Sequence, residues 1–214
     1  MTKKSNMLKK SSLAGIIGLF TAVFLHLLLA VNEISFSAFG VQFHPWMLYM
    51  VFPVGEMVGY FIVLHIFSHV RVLVEASRFA IVGFFNFVLD VSLLSALSQK
   101  FDIYSGAGII LLNIIAGSVA VLNSYYWNRK FTFQKQTDAN VGEFGAFLFV
   151  SIVGLVINTT VLFILTTFVT PFAGITEEQF LTLAKIISIF ISLFWNFFGY
   201  KLFVFKKRTQ ERVA

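Results

Sequence analysis

Residues Leu122–Phe133 read LNSYYWNRKFTF, and Phe194–Phe205 read FWNFFGYKLFVF. Each stretch runs from an apolar segment into a cation and then into alternating phenylalanines. Aligned, Arg129 falls on Lys201, Phe131 on Phe203 and Phe133 on Phe205. An apolar run that ends on cations and aromatics reads as a membrane helix leaving the bilayer at its basic face. The chain makes this exit twice, and the remaining segments arrange themselves around it.

Composition supports the membrane reading. Of the 214 residues, 58% are hydrophobic and only 12% charged, with 3 prolines. So few charges cannot cover a soluble fold of this size. The apolar residues fall in runs of about 20, the length of a membrane helix. The net charge of +6 sits at the ends of these runs, so it reads as orientation and contact with lipid headgroups, not as a nucleic-acid surface. There is no cysteine to report on redox compartment.

Read in order, the chain predicts spans at Leu13–Val31, Trp46–Val70, Phe79–Leu97, Gly106–Trp127, Phe144–Val169 and Phe180–Phe205. The basic start before the first span resembles a signal peptide, but the run is long and no small-residue cleavage site follows, so it is read as a retained helix. Of the 16 Lys and Arg, fourteen fall on the side of the N-terminus; Lys100 falls opposite and Lys185 within a span. The positive-inside rule then places both termini in the cytoplasm. The fold class expected is all-α: a polytopic bundle of six membrane helices, with every span helical because lipid offers no partner to backbone groups.

Spans three and four repeat as spans five and six. Gly83, Asn86 and Asp90 share one helix face, as do Ser151, Gly154 and Asn158 at the same spacing. Asn113, Ala116, Ala120 and Ser124 make the stripe of span four; Lys185, Ser188, Ser192 and Asn196 make that of span six. Because each copy holds two spans, the copies run parallel, related by an axis along the membrane normal. The expected organisation is an N-terminal helix pair (1–75), a four-helix domain (76–207) with repeats at about 76–133 and 143–206, and a basic tail (208–214).

Two polar layers follow. Glu56, Asp90, Asn113, Asn158 and Lys185 lie roughly 18–24 Å from the basic end of their spans, at 1.5 Å rise per residue. An ionisable group at such depth must face the bundle and find a partner. Two readings stay open for Lys185: an ion pair with Asp90 or Glu56 that holds the helices in register, or a cation that holds an anionic or hydroxyl-rich headgroup. Glu56 is a candidate ion-pair member or proton carrier. Asn86 and Asn196 extend the headgroup layer. The second layer, at the cytoplasmic face, holds Arg78, Asn123, Asn128, Arg129, Lys130 and Lys201. Snorkelling to lipid phosphates explains much of it; an Arg fork beside Asn amides also suits a specific lipid phosphate. His65 and His69 have metal-ligand spacing, but nothing nearby completes a set. No nucleophile elbow, phosphate-binding loop or metal motif is found, so no catalytic residue, metal or cofactor is expected and the chain does not read as an enzyme.

At Arg78-Phe79, Val82-Gly83 and Asn86, and again at Asn128-Arg129-Lys130-Phe131-Thr132-Phe133, the chain resembles the GtrA-like family of small polytopic membrane proteins. The second half repeats the pattern through Phe147, Val150, Asn158, Lys185, Asn196 and Phe203-Val204-Phe205. It departs at the second exit, where Tyr200-Lys201 replaces Asn128-Arg129. The resemblance covers about 76–207 and leaves the first two spans without an implied role. It implies a translocase in the cell membrane that moves polyprenyl-phosphate-linked sugar for cell-surface polysaccharide or teichoic acid glycosylation, beside a membrane glycosyltransferase. Without an ATP-binding motif, transport would run on a gradient or on consumption of product. A scaffold that only recruits the glycosyltransferase and a small proton-coupled exporter are the competing readings; a homo-oligomer is compatible with each.

Overall fold

In the computed structural model, residues 3–33, 36–38, 41–132, 141–172 and 174–199 are described. Helices α1 (Lys3–Val31), α2 (Leu48–Phe67), α3 (Arg71–Phe101), α4 (Gly106–Trp127), α5 (Val141–Phe168) and α6 (Glu177–Gly199) make up nearly all of them. All six are long and apolar enough to cross a membrane. The all-helical expectation holds with one small addition. Between α1 and α2, strands β1 (Phe36–Ala38) and β2 (Val41–Phe43) pair as an antiparallel ribbon, with Ser37 opposite Gln42.

The sequence reading of α4 matches both ends. Elsewhere the bounds shift: α1, α3, α5 and α6 start before the apolar spans, whereas α2 falls short of Trp46–Val70 at both ends, with a 3-10 turn at Pro45–Met47 before it. Helix α3 starts at Arg71 and α1 at Lys3, because a helix continues into the headgroup region after the hydrophobic run has ended. The boundary drawn at 75/76 therefore falls inside one continuous helix. The tail and the second phenylalanine exit, with Lys201, lie outside the described residues.

Helices α1 and α2 form an antiparallel pair. They approach most closely at Gly18, where a side-chain carbon would lie 2.6 Å from the Phe52 carbonyl oxygen. The pair packs along α3 through Ile17, Tyr60, Leu64, Val82, Phe85 and Leu89. The other four helices form a ring in the order α3, α4, α5, α6. Helices α4 and α5 are antiparallel: the Gly106 amide at the start of α4 donates to Thr167 Oγ1 (3.0 Å), and Tyr125 near its end lies beside Phe147, rings 5.8 Å apart. Helices α3 and α5 thus run the same way, as the parallel repeat requires.

The end of the ring that carries Arg78 and Lys130 is called here the basic end, and the end at the α3–α4 connection the turn end. A dry cluster of Leu94, Ile109, Leu112, Leu162, Leu181 and Ala184 fills the turn end. Beside it, Ser95 and Thr182 hydroxyls meet at 3.0 Å, and Thr182 Oγ1 donates to Asn32 Oδ1 at the end of α1 (2.7 Å). The N-terminal pair is thereby tied to α6 as well as to α3.

Candidate functional site

Four side chains, one from each helix of the ring, converge beneath the turn-end cluster. Lys185 Nζ lies 2.7 Å from Asp90 Oδ2, 2.6 Å from Asn113 Oδ1 and 2.9 Å from Asn158 Oδ1. An ammonium has three N–H donors, and these three oxygens use them all. Asn113 Nδ2 donates to Asn158 Oδ1 (3.0 Å) and Thr159 Oγ1 (2.8 Å), and Asn158 Nδ2 donates to Ser188 Oγ (2.9 Å). Lys185 and Asn113 are fully enclosed, at 0% exposure. A charge so far from water is tolerated because it is paired and every hydrogen-bond direction is met.

The repeat organises this cluster. Asp90 and Asn158 hold corresponding places in the two hairpins, as do Asn113 and Lys185. The α3–α6 contact of Asp90 with Lys185 maps onto the α5–α4 contact of Asn158 with Asn113. That exchange is the signature of a pseudo-twofold axis down the ring.

Below the cluster, toward the basic end, the ring encloses a cavity of about 520 Å³. Asp90 and Asn158 reach its upper part; Asn86, Ser124, Ser151 and Asn196 line it further down. Three buried polar atoms of its lining have no hydrogen-bond partner among the described residues: Asp90 Oδ1, Asn86 Nδ2 and Asn196 Oδ1. Asn86 is held by its other side, its Oδ1 accepting from Asn123 Nδ2 at 2.6 Å. Asn196 fits only because Gly154 faces it: a Cβ there would lie 2.4 Å from Asn196 Oδ1. Buried polar atoms are nearly always paired, so two acceptors and a donor left over among the residues of one cavity wall suit a ligand with hydroxyl groups.

Residues 78–205 match the family described as GtrA/DPMS, transmembrane domain. The chain belongs to that family. No curated protein and no solved structure matches it. The match begins at Arg78, within α3, so the pair α1–α2 lies outside the matched GtrA/DPMS domain. Membership makes the chain a multi-spanning membrane protein concerned with polyprenyl-phosphate sugars.

The headgroup residues read from the sequence are thus brought together, but with divided roles. Asn86, Asp90, Asn158 and Asn196 line the cavity; Asn113 and Lys185 stand behind it and hold Asp90 and Asn158. Of the two partners offered for Lys185, Asp90 takes the place. Glu56 lies against Thr21 in the α1–α2 seam, with Oε2 buried and unpartnered.

The basic layer disperses. Arg78 is buried, donates from Nε to the Tyr60 hydroxyl and from a terminal nitrogen to the Thr132 carbonyl (3.3 Å), and turns away from the cavity. Asn123 serves Asn86. Asn128 spends its amide locally, donating to Ser124 Oγ (3.0 Å) and accepting from Thr132 Oγ1 (2.9 Å). Lys130 is exposed and donates to the Tyr126 hydroxyl (2.8 Å). The side chain of Arg129 and all of Lys201 lie outside the description. A π-helical turn at Asn128–Thr132 follows α4 directly and sets Thr132 against the Asn128 amide. The wider turn brings Phe131 into the core against Tyr60, rings 5.4 Å apart.

Sequence reasoning missed Thr182, Thr159 and Tyr60. Thr182 extends the stripe of Lys185, Ser188 and Ser192 by one turn, a signal that was available. Tyr60 carried none, since a tyrosine in an apolar span reads equally well as packing.

Proposed function

We propose that the protein carries a polyprenyl-phosphate-linked sugar across the cell membrane, for transfer to a surface polysaccharide or teichoic acid. The observation that carries this reading is the cavity ending on the Asp90–Lys185 pair, with Asp90 Oδ1, Asn196 Oδ1 and Asn86 Nδ2 unpartnered in its wall. Sugar hydroxyls would donate to the two oxygens and accept from the amide nitrogen. Lys185 acts as a positioning residue: it fixes Asp90 and keeps its charge balanced while the sugar is bound. Family membership supports this substrate class.

On this reading the chain makes and breaks no bonds. A membrane glycosyltransferase supplies or consumes the lipid-linked sugar, and a homo-oligomer is compatible with this reading. A pure scaffold would have no use for a lined cavity behind which a lysine is enclosed. Proton-coupled export could use Glu56 or Asp90 as carrier: Glu56 lies in the α1–α2 seam, outside the cavity, and Asp90 in the cavity wall is already committed to Lys185.

The test is reconstitution of the purified full chain in liposomes loaded on one leaflet with a polyprenyl-phosphate sugar. The expected result is sugar that becomes accessible to an impermeant oxidant on the other leaflet. Accessibility equal to that of protein-free vesicles would refute the translocase and leave the scaffold.

A further inference from the structure

Three of the four seams of the ring are closed beside the cavity. The α3–α4 seam is closed by the Asn86–Asn123 hydrogen bond. The α4–α5 seam is closed by Leu155 packed onto Gly117 and by Tyr125 against Phe147. The α5–α6 seam is closed where Asn196 meets Gly154, and where Trp195 Nε1 donates to the Val150 carbonyl (3.0 Å). The fourth seam differs. The polar contacts that join α3 to α6 among the described residues, Asp90–Lys185 and Ser95–Thr182, both lie at or above the top of the cavity.

Below them, α3 offers Phe84 and Phe87, and α6 offers Phe190 and Leu193; all four line the cavity. Phe84, Phe190 and Leu193 are also exposed on the outside of the bundle, at 43%, 58% and 52%. A residue that lines a cavity and is exposed outside stands at its mouth. The mouth therefore faces sideways, into the hydrocarbon of the bilayer. Its wall does not end with the family domain: Phe52 of α2 stacks on Phe84, rings 5.9 Å apart and 13° from parallel, and Phe84 in turn stacks near Phe87 at 6.3 Å. An aromatic strip thus runs from the added N-terminal pair to the cavity.

We propose that the α3–α6 mouth is where the hydrocarbon chain of a lipid-linked ligand leaves the cavity, and that Phe52 of the N-terminal pair is part of the surface it lies on. This rests on the reading of the cavity as a lipid-linked sugar site and adds to it the route of the chain. A ligand with a polar head in the cavity and a long unsaturated tail needs an opening to lipid at the level of the head. Only an apolar opening spares that tail from polar groups, and the faces of phenylalanine rings suit the flat alkene units of an isoprenoid. The seam also gives the N-terminal pair a purpose that the family domain alone does not contain.

The experiment uses the full chain in lipid nanodiscs and a polyprenyl phosphate bearing a diazirine in its chain near the phosphate. After irradiation, labelled peptides are mapped by mass spectrometry. The expected result is labelling at the α3 segment around Phe84 and the α6 segment around Phe190, and at Phe52. Labelling should fall at least tenfold with excess unlabelled polyprenyl phosphate and stay unchanged with excess phosphatidylglycerol. Phe190→Trp, which fills the mouth from an exposed position, should reduce it without lowering the thermal midpoint. Saturable labelling that maps to the α4–α5 seam would overturn the route while leaving the lipid-linked substrate standing. Equal competition by phosphatidylglycerol would overturn the route as well, reducing the mouth to general lipid contact. Absence of saturable labelling anywhere would overturn both the route and the substrate class.

Discussion

Arg78, the first residue of the family match, donates from Nε to the hydroxyl of Tyr60 in the added helix pair. Its guanidinium carbon also lies 5.7 Å from the centre of that ring. With a terminal nitrogen on the Thr132 carbonyl, one side chain ties α2, α3 and the exit of α4 together. A cation at the mouth of a span would ordinarily be read as a lipid anchor; here it is a rivet.

Arg78→Lys should therefore weaken the fold although it keeps the charge. Lysine lacks the planar fork that reaches two partners at once. Hydrogen bonds to a charged group are worth about 1.5–3 kcal/mol each, and a loss of that order is expected in thermal unfolding in detergent. Tyr60→Phe should give a smaller loss, and the double variant should be less than additive. Full additivity would show that the two side chains do not act together.

Lys185→Met should lower stability by about 3–5 kcal/mol, the usual cost of leaving one member of a buried pair alone. Lys185→Met with Asp90→Asn removes both charges and should recover most of that stability. It should not recover translocation, because a neutral amide then stands where the cavity wall had a charged acceptor, and Lys185 no longer fixes it. Recovery of both would reduce the pair to a structural device.

Gly154→Val should spare the fold and damage the site. A side chain there meets Asn196 Oδ1 at 2.4 Å, and Asn196 has room to turn away. The expected change in stability is about 1 kcal/mol or less, within the range of mild substitutions, together with loss of sugar-lipid binding measured by competition. Unchanged binding would remove Asn196 from the site.

Membrane orientation is expected from the lopsided distribution of Lys and Arg. With no native cysteine, Glu177→Cys and Lys100→Cys should each react with an impermeant thiol reagent on intact cells, while cysteine at Ser5 should be protected. The opposite pattern would invert the membrane and, with it, the leaflet that the basic end faces.

Much of this was legible in the sequence because lipid removes alternatives. Asp90, Asn113, Asn158 and Lys185 could not face hydrocarbon, so their shared depth forced them to meet. What depth does not give is adjacency: Glu56 and Asp90 stood equally well for the partner of Lys185 until α2 was found outside the ring. The described members of the basic layer turn different ways for a related reason. Charge at a helix end reads the same whether the side chain stays outside against a neighbouring tyrosine, as Lys130 does, or turns inward, as Arg78 does. The π-helical turn at Asn128–Thr132, which consumes the Asn128 amide, leaves no mark in hydrophobic periodicity. The mouth was illegible for another reason: it is defined by a seam that lacks contacts, and Phe52, Phe84 and Phe190 look in sequence like any lipid-facing residue.

The meeting of Asn113 with Lys185 also bears on descent. These two residues hold the same place in the two hairpins and touch across the centre of the ring. Before duplication, a pair of identical hairpins would have set one residue type against itself at that point. Two asparagines can bond there; two ammonium groups at hydrogen-bond distance, far from water, would repel strongly. Joining the copies in one gene frees each side to change alone. A single positive charge on the centre line is thus a feature that only the fused chain can evolve.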